Sequence, residues 1–130
     1  MKLLDSNVLI HFVKGRPAVV SRLLAENPQT VAVPAIVAYE LEYGMLKSAR
    51  SRTRAVVSRL LAEFEHVPFD RAAAHEAARL RVDLESKGSV IGSLDLLIAG
   101  TALSLGAVLA TSNVKEFSRI RDLRIEDWSA

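Results

Sequence analysis

The 130-residue chain contains no cysteine, which excludes a disulfide framework and any thiolate zinc site. Its three histidines are scattered and offer no metal-ligand spacing, so a metal would have to bind through oxygen. No apolar run reaches the ~18 residues of a membrane span, and no basic segment followed by a long apolar stretch and a cleavage site opens the chain. The expectation is a cytoplasmic protein with no membrane segment. Aromatic residues make up only 5%, yet half the residues are apolar, chiefly Ala, Val, Leu and Ile. That composition suits helices packed on a small sheet and argues against a disordered chain. At this length a single domain over residues 1–130 is expected, with a core that needs no structural metal.

Net charge is only +2, so no strong field of one sign commits the protein to nucleic acid. The basic residues are nonetheless clustered: Lys47, Arg50, Arg52, Arg54 and Arg59 fall within thirteen positions that contain no acid. Such a segment is either a solvated helical face or a surface that meets phosphates, and composition leaves both open.

Short strand candidates are Lys2 to Leu4, Val31 to Val33, the neighbourhood of Val67, Ala107 to Ala110, and Leu123 to Ile125. Between them the apolar period is helical. Pro17 to Glu26 carries Val19, Val20, Leu23 and Leu24. Pro34 closes the second strand and opens a helix to about Ser48, and Ser51 to Glu65 carries Val56, Val57, Leu60, Leu61 and Phe64. Asp70 caps a helix to about Ser86, with Ala73, Ala77, Leu80, Val82 and Leu84 as its apolar positions. Ser93 to Leu105 is apolar almost all round and is expected to be the most buried helix, stopped by Gly106. Alternating strands and helices predict a three-layer α/β/α domain with a short parallel, doubly wound sheet of about five strands.

In such a sheet the loops leaving the carboxyl ends of the strands converge. Asp5 follows the first strand, Glu40 and Glu42 lie in the helix after the second, Asp95 opens the buried helix, and Asn113 and Glu116 follow Ala110-Thr111. Glu40 and Glu42 are about 200° apart around a helix, so only one faces inward, and Glu40 stands nearer the stripe of Val37, Leu41 and Met45. Asp95 shares a face with Ile98, Ala99 and Ala102, where a lone carboxylate is costly to bury, although an acid in a first helical turn also suits capping. If Asp5, Glu40 and Asp95 converge, three like charges occupy one small volume and call for cations. Mg²⁺, with Mn²⁺ as a substitute, takes carboxylate oxygens and keeps waters, and a pair of such ions serves phosphodiester hydrolysis. Ser6, Asn7, Thr111 and Ser112 stand where they could orient these acids, or serve only as turn and capping residues.

Four segments then carry a family resemblance: Leu3-Leu4-Asp5-Ser6-Asn7-Val8-Leu9-Ile10, Tyr39-Glu40-Leu41-Glu42-Tyr43-Gly44, Ile91-Gly92-Ser93-Leu94-Asp95-Leu96-Leu97-Ile98-Ala99, and Thr111-Ser112-Asn113-Val114-Lys115-Glu116-Phe117. In their order and spacing, with a tail ending Leu123-Arg124-Ile125-Glu126-Asp127-Trp128, the whole chain resembles the PIN-domain ribonucleases and, within them, the VapC toxins of bacterial type II toxin–antitoxin pairs. The resemblance implies a PIN fold with Asp5, Glu40 and Asp95 as an acidic metal site, and it selects Glu40 over Glu42, since the family's acid precedes the segment that Leu41 to Gly44 match. Where many PIN domains have a fourth aspartate this chain has Asn113, leaving the fourth position to Asn113 or Glu116. It further implies an RNA substrate such as tRNA, a homodimer, and inhibition by a VapB-type antitoxin, with Lys47 to Arg59 as an RNA-facing surface and Tyr39 and Tyr43 at the dimer or the groove.

Two rivals stand beside this reading. A phosphatase of the haloacid dehalogenase type also ends its first strand in aspartate, but the second acid expected two residues on is Asn7 here. A catalytically inert PIN-fold module that binds RNA or protein would have its support in Asn113.

Overall fold

The computed structural model describes residues 1–129. Its centre is strand β1, Lys2–Leu4, flanked by β2, Val31–Pro34, and β4, Val108–Thr111. Both faces of these strands are covered, which is why, apart from Lys2 at the start of β1 and Thr111 at the end of β4, they read as apolar runs rather than alternating ones. The edges are β3, Glu65–Val67, and β5, Ile125–Asp127, whose polar and charged side chains blunt further pairing. All five strands are parallel in the order β3-β2-β1-β4-β5, as the alternation of elements predicts. The chain therefore builds outward on one side of β1 and then crosses to the other, so the crevice between the carboxyl ends of β1 and β4 is the switch point where such sheets hold their sites.

The helices are α1, Ser6–Val13; α2, Pro17–Ala25; α3, Ala35–Lys47; α4, Ser51–Glu63; α5, Arg71–Ser86; α6, Ser93–Leu105; and the single turn α7, Val114–Phe117. Local chemistry sets their ends. Pro34 leaves β2 with φ −62° and ψ 145° and starts α3. The Asp70 carboxylate accepts from the Ala73 N–H at 2.9 Å and caps α5. Gly106 ends α6 in the left-handed region at φ 61°. Among the described residues no helix is long and apolar enough to cross a membrane.

Helix α6 is as central as its composition implies, with Ile98 to Ala102 buried throughout. It lies so close to α5 that a Cβ on Gly100 would stand 2.7 Å from Ala77 Cβ and 2.8 Å from Ala77 N. Trp128 is fully buried after β5, with the Arg22 guanidinium 5.0 Å and the Lys2 ammonium 5.8 Å from its ring centroid.

Some expectations shift. The last strand begins at Ile125 rather than Leu123, because the polar pair Glu126-Asp127 forms the ladder with Ala110 and Thr111 while Leu123 turns into the core. Leu24 and Val82 are 72% and 68% exposed. Each is rotated off a narrow buried stripe, Val19 with Leu23 on α2 and Ala77, Leu80 and Leu84 on α5.

Candidate active site

Asp5 is the residue at which β1 becomes α1. Its N–H still continues the sheet, donating to the Ala110 carbonyl at 2.9 Å, while its side chain caps the helix by accepting from Ser6 N at 2.8 Å. The other carboxylate oxygen accepts from the Thr111 hydroxyl at 2.6 Å, and Thr111 Oγ1 in turn accepts from the Asn113 N–H at 2.9 Å. Asp5 is 1% exposed. Burial pushes its carboxyl above the usual range, against the Thr111 and Ser6 bonds, and the charge of Glu116 adds to the rise.

Glu40 lies on the inner flank of α3 and Glu42 faces solvent. Burial raises the Glu40 carboxyl, the Ser6 hydroxyl works the other way, and the charge of Asp5 adds. Its Oε1 is buried with no hydrogen-bond partner among the described residues, an arrangement that calls for one.

Asp95 occupies the first turn of α6, whose N-terminus receives no side-chain cap, so its carboxylate is not spent on capping. Its pKa is pushed up to about 7, first by burial, then by Glu116, and then by the charges of Asp5 and Glu40. The Glu116 carboxylate is fixed at both oxygens: Oε1 accepts from the Gly92 N–H at 2.6 Å, and Oε2 from Asn113 Nδ2 at 2.7 Å. Burial opposes its charge, but Gly92, Asp95, Asn113 and Arg119 outweigh that and hold its pKa below the ordinary value.

The structure thus brings Asp5, Glu40 and Glu116 within electrostatic reach of Asp95, with Asn113 beside Glu116. Among the described residues no group of three or more acids or histidines is gathered tightly enough to grip an ion as it stands, as expected of like charges with no cation of the chain between them. Four carboxylates grouped about Asp95, one with a buried unpartnered oxygen, have the donor chemistry that suits a hard divalent cation.

Two contributors escaped the sequence. Gly92 donates its N–H to Glu116, and a Cβ there would face Asp95 Oδ2 at 3.5 Å and Glu116 Oε1 at 3.6 Å. Arg119 ties the preceding loop by donating to the Val90 carbonyl at 2.9 Å while favouring charge on Glu116. Gly92 carries no local signal, since it acts on a residue 24 positions on, whereas Arg119 stands close after Glu116 in sequence and its tie to Val90 spans 29 positions. The basic segment is also divided. Arg54 donates to the Leu46 and Ser48 carbonyls, closing the end of α3, and Lys47 lies 5.6 Å from the Tyr43 ring centroid.

The PIN domain family matches residues 2–123. The chain is 34% identical to the tRNA(fMet)-specific endonuclease VapC of Shigella flexneri, over 98% of this chain and 97% of that one. It is 37% identical to the protein of the same name from Salmonella typhimurium, over 97% and 96%. The crystal structure of VapBC2 from Rickettsia felis bound to a DNA fragment from their promoter superposes with a TM-score of 0.89 at 33% identity, covering 98% of both chains. The fold and the 34% and 37% identity over nearly the whole chain agree, and the chain belongs to the PIN-domain family, among its VapC ribonucleases.

Proposed function

We propose that this chain is a divalent-cation-dependent endoribonuclease in which Asp5, Glu40, Asp95 and Glu116 hold Mg²⁺, or Mn²⁺ in its place. The observation that carries the reading is the buried, unpartnered Oε1 of Glu40, whose carboxylate lies within electrostatic reach of Asp5 and of an Asp95 pushed up to about 7. A bound divalent cation supplies positive charge that lowers the pKa of an attacking water and stabilises a departing oxygen. The chain supplies orientation. Ser6 and Thr111 fix both oxygens of Asp5, and Gly92 and Asn113 fix both oxygens of Glu116.

Asn113 spends its amide N–H on Glu116, which supports Glu116 as the fourth acid with Asn113 as the residue that positions it. The residue that favoured an inert module is thereby accounted for within a working site. Burial and the neighbouring Glu116 push the Asp95 carboxyl up to about 7, so a cation bound among these acids would favour its charged form.

Relatives named as tRNA endonucleases support a structured RNA such as tRNA as substrate. The VapBC assembly supports pairing with a VapB-type antitoxin that restrains the enzyme in the cytoplasm. Tyr39, Tyr43 and Leu46 stand 58%, 59% and 70% exposed on α3, an apolar surface suited to a second copy in a homodimer. The test is cleavage of total RNA with Mg²⁺ by the wild type, Asp5→Asn and Asp95→Asn. Loss in both folded variants is expected, and equal activity in all three would sink the assignment.

A further inference from the structure

Between α5 and α6 the chain runs through Lys87 to Gly92, and Asp95 follows in the first turn of α6. The flanking helices set the two ends of this loop. Gly88 turns in the left-handed region at φ 65°, the Ser89 N–H returns to the Leu84 carbonyl at 2.9 Å, and the Gly92 carbonyl accepts from the Leu96 N–H at 2.9 Å. In the middle Ile91 is buried, whereas Val90 is 60% exposed and gives its backbone little packing to rest on. Two hydrogen bonds then tie the loop to one distant turn. Glu116 Oε1 accepts from the Gly92 N–H at 2.6 Å, and Arg119 Nη1 donates to the Val90 carbonyl at 2.9 Å. Glu116 and Arg119 stand three positions apart, and the turn that ends α7 carries on through the Arg119 N–H, which donates to the Glu116 carbonyl at 3.2 Å. That spacing sets two side chains on one side of a helical turn, so the turn grips the loop at residues 90 and 92.

Resting on the nuclease reading, we infer that Arg119 is a positioning residue for the acidic site: by holding the Val90 carbonyl it keeps the Gly92 N–H on Glu116 and fixes Glu116 relative to Asp95. Gly92 lies between the two acids, since a Cβ there would stand 3.5 Å from Asp95 Oδ2 and 3.6 Å from Glu116 Oε1. It is also the N-cap of the helix that carries Asp95. A shift of the loop therefore moves the donor of one acid and the backbone under the other together. Glycine at positions 88 and 92 leaves the loop wide backbone freedom, so its placement depends on ties from outside. When both carboxylates are charged they also push the two segments apart, and the Arg119 bond opposes that separation. Arginine suits the task, because its planar guanidinium presents donors in fixed directions where a lysine ammonium on a flexible stem holds a carbonyl less rigidly.

The experiment compares the full-length wild type with Arg119→Ala, Arg119→Lys and a control, Arg121→Ala, which removes the same charge two positions on. Three readouts are taken: the Gly92 amide resonance and its hydrogen exchange by NMR in EDTA, Mg²⁺ affinity by calorimetry without RNA, and KM and kcat for RNA cleavage with Mg²⁺. In Arg119→Ala the Gly92 amide should move upfield and exchange faster, as its bond to Glu116 loosens. Mg²⁺ affinity and kcat should each fall about 10-fold, the low end of what a lost orienting partner costs, with KM held. Arg119→Lys should fall between, and the control should match the wild type. In a Glu116→Gln background the Arg119→Ala step should lose most of its effect on kcat, as expected of two residues acting as one unit. A Gly92 resonance, Mg²⁺ affinity and kcat unchanged in Arg119→Ala would overturn the positioning role and leave the nuclease standing. A rise in KM alone would make Arg119 a substrate contact, and the inference fails. A Gly92 resonance that moves in Arg119→Ala while the wild type neither binds Mg²⁺ nor cleaves RNA would overturn the nuclease reading instead.

Discussion

Replacing Asp95 with asparagine should stabilise the cation-free protein at alkaline pH while abolishing its activity. Asp95 is raised from 3.8 to about 7 by burial and by the three other acids. A carboxyl raised on folding makes the native state bind a proton that the unfolded chain releases. Its contribution is therefore intact below pH 3.8 and is lost as pH climbs to about 7. At 1.36 kcal/mol per unit the full shift corresponds to about 4 kcal/mol. Asp95 is only half-buried and shares its proton with Glu116, so solvent screening and coupling reduce this to about 1–2 kcal/mol. Asparagine keeps the shape, removes the charge and can donate to Glu116. The assay is urea denaturation in EDTA at pH 5 and pH 8. The wild type should lose stability between them, and Asp95→Asn should lose little and exceed the wild type at pH 8 by about 1–2 kcal/mol. Added Mg²⁺ should then raise the wild type more than the variant, since only a state that binds the ion gains by mass action. A flat wild-type profile, or a variant no more stable than wild type at pH 8, would refute the claim that these acids crowd one another.

Other outcomes follow from the same geometry. Glu116→Ala should reduce RNA cleavage more than Asn113→Ala, whose loss of an orienting hydrogen bond should cost about 10–100-fold; the reverse order in kcat/KM would make Asn113 the ligand. Gly100→Ala should lower the thermal midpoint, because the new methyl would meet Ala77 backbone and side chain within 2.8 Å and overpacking of this kind costs about 1–3 kcal/mol. An unchanged midpoint would mean that α5 and α6 are less tightly pressed than they stand. Substitution of Asp5 by asparagine should remove Mg²⁺-dependent cleavage while leaving the circular dichroism spectrum of the folded protein in place.

The sequence by itself determined what depends on neighbours along the chain. The apolar runs of β1, β2 and β4, the helical period between them, the Pro34 and Asp70 starts and the Gly106 stop are local preferences, and each element formed where its pattern lay. The position of Asp5 at the end of β1 was equally legible, because a carboxylate closing a buried strand stands out against its surroundings. Edge strands were harder to place, since β5 gains its hydrogen bonds through Glu126 and Asp127 and needs no apolar signal. What the tertiary structure alone decided is which distant residues meet. The order β3-β2-β1-β4-β5 sets β4 beside β1, so Thr111 reaches Asp5 across 106 positions. The packing of α6 against α5 through Gly100 fixes Asp95, and the loop before α6 carries Gly92 to Glu116 across 24 positions. Asn113 and Glu116 could not be ranked by spacing, because their roles depend on a hydrogen bond that only their folded positions allow. The basic segment, uniform as sequence, was divided by carbonyl groups that become available only where a helix ends, which engage Arg54 while Arg50 and Arg52 stay exposed.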